Sequence, residues 1–326
     1  MKTITHIEEL EKRAGEVQKA RILVASLPDG TETFIPLLVG DGIEEGPTLL
    51  LTALIHGVEI GGYDVIKRLM LEEVNFQQLK GRIIAVPIVN PFALNVANRY
   101  TPQDSADLNR VFPGHPNGTI SQRIANVLAE RLVSEADFII DYHSCNPPSE
   151  VFTIVLSEGE KKVQELSWGM AEAFGAITVA PTQDVPGTFS GYLASIGKPS
   201  ITPELVFSRR FDQGSSDAGV IGTLNVMKYL GMINGEIQPR PHAQKYKGKY
   251  LYTACFANTG GFVYFNKKVG ATFEKNEVFA TVQDPWGEVI DEMRSPVSGM
   301  LIATPMAGNQ AVATGDKVAY FASPPI

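Results

Sequence analysis

Three side chains with metal-binding atoms stand where apolar runs give way to polar sequence. His56 follows the run "TLLLTALI" at 48–55, Glu59 comes three residues later, and His143 ends the run "DFIIDYH". Two imidazoles and one carboxylate, with a fourth position left for water, form the ligand set of a catalytic zinc site. An HxxE pair is common by chance, and a carboxylate at 59 also suits the start of a helix. The prediction of a metal site therefore depends on His143 as a third ligand. We predict that His56, Glu59 and His143 bind one zinc ion per subunit.

A fourth side chain of interest, Glu204, lies inside the apolar run "ITPELVF" at 201–207. Zinc lowers the pKa of a bound water to about 7, but a base must still accept the proton. A partly desolvated Glu204 would serve as this base and would later protonate a leaving amine. The residues alone leave another interpretation equally open, in which Glu204 points to solvent from an edge strand.

A long polar stretch, "NRYTPQDSADLNRVFPG" at 98–114, carries Arg99 and Arg110. Loops of this length inside a compact domain are usually functional or mobile. The two guanidinium groups are suited to bind a carboxylate or to stabilise an oxyanion. Surface salt bridges to Asp104 or Asp107 are the alternative interpretation.

The elements that must position these side chains alternate between strand and helix. Apolar runs predict strands over 48–55, 81–89, 137–143, 150–156 and 201–207, and helical periodicity predicts helices over 58–71, 119–135, 160–174 and 216–230. This alternation is typical of a doubly wound α/β sheet, in which ligands bind beyond the carboxyl ends of the strands. The predicted zinc ligands lie at those ends.

The sequence changes character after about residue 235. A polar, proline-containing stretch at 235–249 predicts a linker. Residues 250–326 have patterns of short strands, glycines and turns, without helical periodicity. We predict a catalytic domain over 1–240 and a small all-β domain over 241–326. The small domain is a candidate for contacts between subunits of a homo-oligomer.

Composition excludes several classes of protein. The 326 residues carry a net charge of −8, and no stripe of lysine and arginine marks a nucleic-acid binder. The charged N-terminus lacks an apolar signal segment, no apolar run is long enough to span a membrane, and only two cysteines occur. We predict a cytoplasmic protein, with Cys145 as a small side chain that is buried or lies just behind the ligands, His6 and His242 inert, and His115 exposed in a loop.

Four motifs in order resemble one family. "HGVE" at 56–59, "NPFALNVANRYTPQDSADLNRVFPG" at 90–114, "DYHS" at 141–144 and "PELVF" at 203–207 are similar to the succinylglutamate desuccinylase/aspartoacylase family, a branch of the zinc carboxypeptidase-like metallohydrolases. The resemblance covers about residues 45–235. It implies an α/β fold, with a doubly wound mixed sheet of the zinc-carboxypeptidase type and a smaller C-terminal all-β domain.

The resemblance also implies a role for each residue of the predicted site: zinc ligation by His56, Glu59 and His143, activation of water by Glu204, polarisation of the scissile carbonyl by Arg99, and a grip on the substrate carboxylate by Asn109 and Arg110. The C-terminal region is similar to a barrel-sandwich, lipoyl-like module. Its hairpin reads "SPVSGM", without a carrier lysine, so no covalent cofactor is expected.

One departure from the family bears on the acyl group. Aspartoacylases proper carry an arginine shortly before the catalytic glutamate, which holds a carboxylate of the acyl group. Here "GTFSGYLASIGKPSITPE" contains Lys198 but no arginine, which favours a simple acetyl group. We expect Gly187, Ser190 and Gly191 to line the acyl pocket.

The predicted function is zinc-dependent hydrolysis of the amide bond of a small N-acyl amino acid. Two alternatives remain from the sequence. One is a zinc carboxypeptidase that acts on short peptides, and the other is a metal- or small-molecule-binding protein without catalysis. Faster turnover of a blocked dipeptide than of N-acetyl amino acids would favour the first alternative, and bound zinc without turnover of any amide would favour the second.

Overall fold

The structure is a computed structural model that describes residues 1–156, 159–181, 185–239, 248–305 and 310–324. Its strands are β1 (Lys2–Ile4), β2 (Val17–Ser26), β3 (Glu32–Asp41), β4 (Glu44–Ala53), β5 (Lys80–Val86), β6 (Phe138–Cys145), β7 (Phe152–Ile154), β8 (Ile177–Pro181), β9 (Ser200–Val206), β10 (Lys249–Phe256), β11 (Gly261–Phe265), β12 (Thr272–Phe273), β13 (Val278–Gln283), β14 (Val289–Arg294), β15 (Gly299–Ala303), β16 (Ala311–Val312) and β17 (Lys317–Ser323). Its helices are α1 (Gly61–Arg68), α2 (Pro91–Asn95), α3 (Ile120–Leu128), α4 (Lys161–Phe174), α5 (Phe189–Ser195) and α6 (Gln213–Tyr229). Helices α1 and α3 each continue into a π-helical segment, Leu69–Glu73 and Ala129–Val133.

A large mixed sheet forms the centre of the molecule. Among the described residues its strand order is β1-β2-β3-β5-β4-β6-β9-β7-β8-β10-β17-β15-β12. The middle of the sheet is parallel, with β5, β4, β6 and β9 running the same way. Parallel strands buried on both faces read as continuous apolar runs, which is why these strands were readable from the sequence.

Helices cover both faces of the sheet, as the doubly wound prediction requires. One core packs α3 and α5 against one face, with Leu50, Ile84 and Ile139 as strand contacts. The other packs α1, α4 and α6 against the opposite face, on Leu51 and Ile140. Successive residues of one strand, such as Leu50 and Leu51, therefore lie in different cores. The predicted fold class is confirmed.

Several predicted boundaries shift by a few residues. The strand predicted at 48–55 runs over Glu44–Ala53, and the helix predicted at 58–71 begins only at Gly61. Glu59 therefore lies in the turn before the helix, not in its first turn. The strand predicted at 137–143 extends to Cys145, so His143 lies within the strand. The N-terminal strands β1 to β3, the strand β8 and the helix α5 were not predicted.

The C-terminal strands continue the central sheet and also build a second one. Strand β10 pairs in parallel with β8 and antiparallel with β17. A separate antiparallel sheet has the order β14-β13-β11-β16, and the two sheets enclose a core that contains Phe273, Phe279 and Phe321. The division into 1–240 and 241–326 stays a prediction. The predicted linker lies partly outside the described residues, and His242 lies outside them.

Two further sequence expectations can be compared with the described part of the chain. His6 and His115 are exposed, and Cys145 is partly buried at the end of β6. Burial raises the pKa of the Cys145 thiol well above its usual value, which disfavours the reactive thiolate. Within the described ranges, no helix combines the length and apolar character needed to cross a membrane.

Candidate metal centre and active site

The three predicted metal ligands converge in the structure. The carboxylate of Glu59 faces both imidazoles, with 2.8 Å between Oε1 and Nδ1 of His56 and 2.9 Å between Oε2 and Nδ1 of His143. One ligand atom from each residue lies within 4.8 Å of the other two, and all three residues are buried. The side chains therefore offer two nitrogens and one carboxylate to a common point.

A tight turn after β4 brings His56 and Glu59 together. The Glu59 amide donates to the His56 carbonyl oxygen at 3.1 Å, and Leu54 takes a left-handed φ of 61° where the strand ends. Gly57 passes so close to α2 that a Cβ there would lie 2.1 Å from the carbonyl carbon of Ala93. Glycine at 57 thus lets the backbone approach α2 closely enough to form this turn.

Each histidine forms a hydrogen bond with a second carboxylate through Nε2, on the side of the ring away from Glu59. Nε2 of His56 donates to Oδ1 of Asp107 at 3.1 Å, and Nε2 of His143 donates to Oδ2 of Asp141 at 2.9 Å. The Thr52 hydroxyl donates to the other oxygen of Asp141 at 2.7 Å. A carboxylate at Nε2 fixes the tautomer whose Nδ1 lone pair is free for a metal. The sequence analysis missed this role of Asp107 and of Asp141.

The chemistry of these donors fits a zinc ion. Neutral imidazole nitrogens and a carboxylate oxygen are common zinc ligands, and the carboxylate–histidine pairs behind them are typical of metal sites. Burial alone would raise the pKa of Glu59, but His56 and His143 hold it well below its usual value. Glu59 is therefore an anion in a buried site, as a cation ligand must be.

Glu204 lies beside the metal cluster. Strands β6 and β9 pair in parallel with His143 opposite Glu204, so the two side chains share one face of the sheet. Strand β9 lies between β6 and β7, which makes the edge-strand interpretation of Glu204 wrong. Burial, with a contribution from the charge of Glu59, raises the pKa of Glu204 to about 7. The residue as a whole is half-buried.

Arg99 joins the cluster from the loop between β5 and α3. Its Nη1 lies 3.6 Å from Oε1 of Glu59, and its Nε donates to Oδ2 of Asp107 at 3.1 Å. The salt bridge to Asp107 considered from the sequence therefore exists, and it holds the guanidinium at the site. About 40% of the Arg99 side chain is exposed, so the group remains available to a ligand.

Asn109 and Arg110 lie on the next turn of the same loop. Oδ1 of Asn109 accepts from the Phe189 amide at 2.7 Å, which ties this turn to the start of α5. The exposed Arg110 guanidinium donates from Nη1 to the Asn109 carbonyl oxygen at 2.6 Å. The backbone of Gly187 packs against Arg110, where a Cβ would lie 2.2 Å from the Arg110 carbonyl oxygen.

Lys198 is the cation nearest in sequence to the position where aspartoacylases carry an arginine before the catalytic glutamate. It does not lie at the metal cluster. Its Nζ donates to the carbonyl oxygen of Ala136, which precedes β6. His143 is close to the other end of that strand, so the ammonium group and the metal cluster lie at opposite edges of the sheet. Lys198 is therefore not placed to hold a carboxylate of the acyl group.

Comparison with known proteins agrees with this geometry. A model of the succinylglutamate desuccinylase/aspartoacylase catalytic domain matches residues 45–230, more than half of the chain. The chain belongs to the succinylglutamate desuccinylase/aspartoacylase family. The resemblance drawn from the four sequence motifs is thus confirmed, and the match spans every residue of the predicted site.

Similar proteins extend the likeness beyond the matched domain. The chain is 28% identical over 288 residues to the N-alpha-acetyl-L-2,4-diaminobutyric acid deacetylase of Halomonas elongata, covering 85% of this chain and 82% of that protein. The product-bound structure of the ectoine utilization protein EutE (DoeB) of Ruegeria pomeroyi is similar with a TM-score of 0.85 and 26% identity, over 96% of this chain and 97% of that one. A succinylglutamate desuccinylase/aspartoacylase of Rhodobacter sphaeroides gives a TM-score of 0.83 at 26% identity, with 95% and 96% covered.

Proposed function

We propose that the protein is a zinc-dependent amidohydrolase that removes the acyl group from a small N-acyl amino acid. The observation that carries the proposal is the placement of Glu204, a carboxylate with a raised pKa, opposite His143 in a buried His–Glu–His cluster. A general base poised near neutral pH beside a metal-ligand set is what hydrolysis of an amide by water requires.

His56, Glu59 and His143 would hold the zinc ion. When bound, the ion supplies Lewis-acid polarisation of the scissile carbonyl and acidification of water. Glu204 accepts the proton of the attacking water at its carboxylate and returns it to the leaving amine. Arg99 donates hydrogen bonds to the carbonyl oxygen as negative charge develops there, because its guanidinium already faces the ligand cluster.

Asn109 and Arg110 would bind the carboxylate of the amino acid. Arg110 is exposed and its fork of N–H donors matches a carboxylate. Asn109 supports the turn that carries Arg110 through its hydrogen bond to Phe189. We propose that Gly187, Ser190 and Gly191 line a pocket for a compact acyl group, since they flank Phe189, whose amide donates to Asn109.

Acetyl is the acyl group that we favour. Lys198 is engaged at the far edge of the sheet, so it offers no positive charge to a succinyl or aspartyl carboxylate. The relative from Halomonas elongata is named as a deacetylase of an acetylated diamino acid, which supports the same choice. We further propose the cytoplasm as the site of action, since Cys145 and Cys255 are free thiols.

A panel of substrates tests the proposal. Zinc-loaded protein is assayed with N-acetyl, N-succinyl and N-formyl amino acids, including N-alpha-acetyl-L-2,4-diaminobutyrate, and with blocked dipeptides. We expect the N-acetyl amino acids to be hydrolysed with the highest kcat/KM. Preference for the blocked dipeptides would favour the carboxypeptidase alternative, and bound zinc without any turnover would favour a binding protein.

A further inference from the structure

Asn90 is a fully buried amide that joins three segments of the chain. It lies just before α2 and is 0% exposed. Its Oδ1 accepts from the Ala93 amide at 3.1 Å and so caps α2. Its Nδ2 donates to the Ile55 carbonyl oxygen at 3.3 Å and to Oγ1 of Thr101 at 2.9 Å. A primary amide has two N–H donors, so the two bonds of Nδ2 use both of them, on two different segments.

The first of these segments carries a proposed metal ligand. Ile55, the acceptor of one Nδ2 bond, directly precedes His56. The backbone amide of Asn90 also donates to the Leu54 carbonyl oxygen, at 3.0 Å. Asn90 is therefore fastened, by backbone and by side chain, to the end of the segment that leads into the turn of His56 and Glu59.

The second segment is the loop that presents Arg99. Thr101 follows Arg99 by two residues and is fully buried. Its backbone amide donates to the Ala106 carbonyl oxygen at 2.9 Å, which closes this part of the loop one residue before Asp107. Asp107 in turn accepts from Nε of Arg99 at 3.1 Å. The bond from Asn90 to Thr101 thus fixes the base of the segment that places Asp107 against Arg99.

The third segment, α2, holds the other side of Arg99. The Asn98 amide donates to the Ala93 carbonyl oxygen at 3.0 Å, and the amide of the same Ala93 is the one that Asn90 caps. Arg99 therefore lies between two anchored residues, Asn98 and Thr101, and both anchors lead back to the Asn90 side chain.

The simplest alternative is that Asn90 serves stability alone. A buried amide must be hydrogen-bonded, but any suitable partners would meet that need. Here the partners stand on both sides of Arg99 and next to His56. The Arg99 side chain is about 40% exposed and is carried by a loop, so the backbone on either side of it decides where its guanidinium lies relative to the metal cluster.

We infer that Asn90 and Thr101 are positioning residues that fix Arg99 relative to the metal cluster through the hydrogen bond from Nδ2 to Oγ1. The inference rests on the proposed function and deepens it, because it assigns to two buried polar residues the placement of the proposed oxyanion donor. Neither residue touches the substrate. Both act through Arg99.

A positioning role of this kind acts on the chemical step. Arg99 is proposed to bind the carbonyl oxygen as negative charge develops there, so its contact is stronger in the transition state than in bound substrate. A displacement of about 1 Å can cost about 10²-fold in rate. Loss of the bond from Asn90 to Thr101 should therefore lower kcat and leave KM nearly unchanged.

The first test is Thr101→Val in the zinc-loaded, full-length protein, with an N-acetyl amino acid as substrate. This variant removes the acceptor hydroxyl and leaves Asn90 in place, whereas Asn90→Ala would break all three anchors and endanger folding. We expect kcat to fall about ten-fold or more and KM to change less than about threefold. Thr101→Ser, which keeps the hydroxyl, should restore most of kcat.

Thr223→Val is the matched control. Thr223 is also fully buried, and its hydroxyl donates to the Gly219 carbonyl oxygen at 2.8 Å within α6. It loses a buried threonine hydroxyl as Thr101→Val does, but away from the loop of Arg99. We expect both valine variants to have a lower melting temperature than the parent and only Thr101→Val to lose kcat.

A double-mutant cycle with Arg99→Met shows whether Thr101 acts through Arg99. Residues that act as a unit are not additive, so Thr101→Val should change kcat less than about twofold once Arg99 is replaced. An equal fold-loss of kcat in both backgrounds, or a lower melting temperature of Thr101→Val with the kcat of the parent, would overturn the inference while the proposed function stands. A zinc-loaded parent that hydrolysed no N-acyl amino acid would make the proposed function wrong as well.

Discussion

Asp107 accepts a hydrogen bond from Nε2 of His56 at 3.1 Å, on the side of the imidazole that faces away from Glu59. The other oxygen of the same carboxylate accepts from Nε of Arg99 at 3.1 Å. Asp107 also accepts from the Asn109 amide at 2.9 Å, which caps the short helical turn Leu108–Arg110. One carboxylate thus positions a proposed metal ligand, a proposed oxyanion donor and the turn that presents Arg110.

Replacement of Asp107 should therefore damage metal binding and catalysis together. Asp107→Asn keeps the size of the side chain but removes its charge and replaces one acceptor oxygen with a donor amide. Changes to a residue that hydrogen-bonds a metal ligand cost about 10–100-fold in metal affinity or activity, and we expect a loss of zinc affinity in this range. Competition with a chelator measures it. Asp29→Asn, in an exposed turn, is the control, and equal zinc affinity of Asp107→Asn and the parent would contradict the role.

Glu204 should be essential for turnover and dispensable for metal binding. Glu204→Gln is nearly isosteric and removes the group that accepts the proton, so kcat should fall by about 10²–10⁴-fold. Zinc content, measured by elemental analysis, should equal that of the parent. The control is Glu165→Gln on the exposed face of α4, which should retain full activity. Retention of activity by Glu204→Gln would show that another group is the base.

The activity should depend on pH through the same carboxylate. Burial raises the pKa of Glu204 to about 7, and only the ionised form above that pKa can accept a proton. kcat/KM should rise with pH, about ten-fold per unit on the acid side, and level off near neutral pH. A bound divalent cation lowers the pKa of a nearby carboxylate, so the midpoint of the loaded enzyme is expected at or below 7. A profile in which kcat/KM falls as the pH rises toward 7 would contradict this assignment.

The sequence reveals the parallel centre of the fold more readily than its edges. Strands such as β4 and β6 are buried on both faces and are continuously apolar, so they could be predicted. Strand β2 was missed although Ala20 and Ile22 are buried among exposed and half-buried neighbours, an alternation that a period-two search could have found. The pairing of β8 with β10 joins distant segments, and no local pattern predicts it.

The same distinction holds for the site. His56, Glu59 and His143 end or follow apolar runs, and this position identified them as candidate metal ligands. Asp141 also precedes His143 by two residues on one strand, so its contact with the imidazole was within reach of strand geometry. The contact of Asp107 with His56 depends on how a long loop folds over the sheet.

Lys198 should influence stability without influencing acyl selectivity. Lys198→Met removes the hydrogen bond from Nζ to the Ala136 carbonyl oxygen. Loss of a hydrogen bond from a charged donor should lower the free energy of unfolding by about 1.5–3 kcal/mol. The ratio of kcat/KM for N-acetyl over N-succinyl amino acids should stay the same. A lower preference for N-succinyl substrates in Lys198→Met would instead place this lysine at the acyl pocket.

The most direct test of the account is the metal content of the purified protein and of its His143→Ala variant, with His115→Ala as the control. His143 supplies one of three ligands that lie within 4.8 Å of one another, whereas His115 is exposed in a loop. We predict one zinc ion per chain in the parent and in His115→Ala, and loss of most zinc in His143→Ala. Full zinc occupancy in His143→Ala, or a parent that binds no divalent metal and still hydrolyses N-acyl amino acids, would contradict the account.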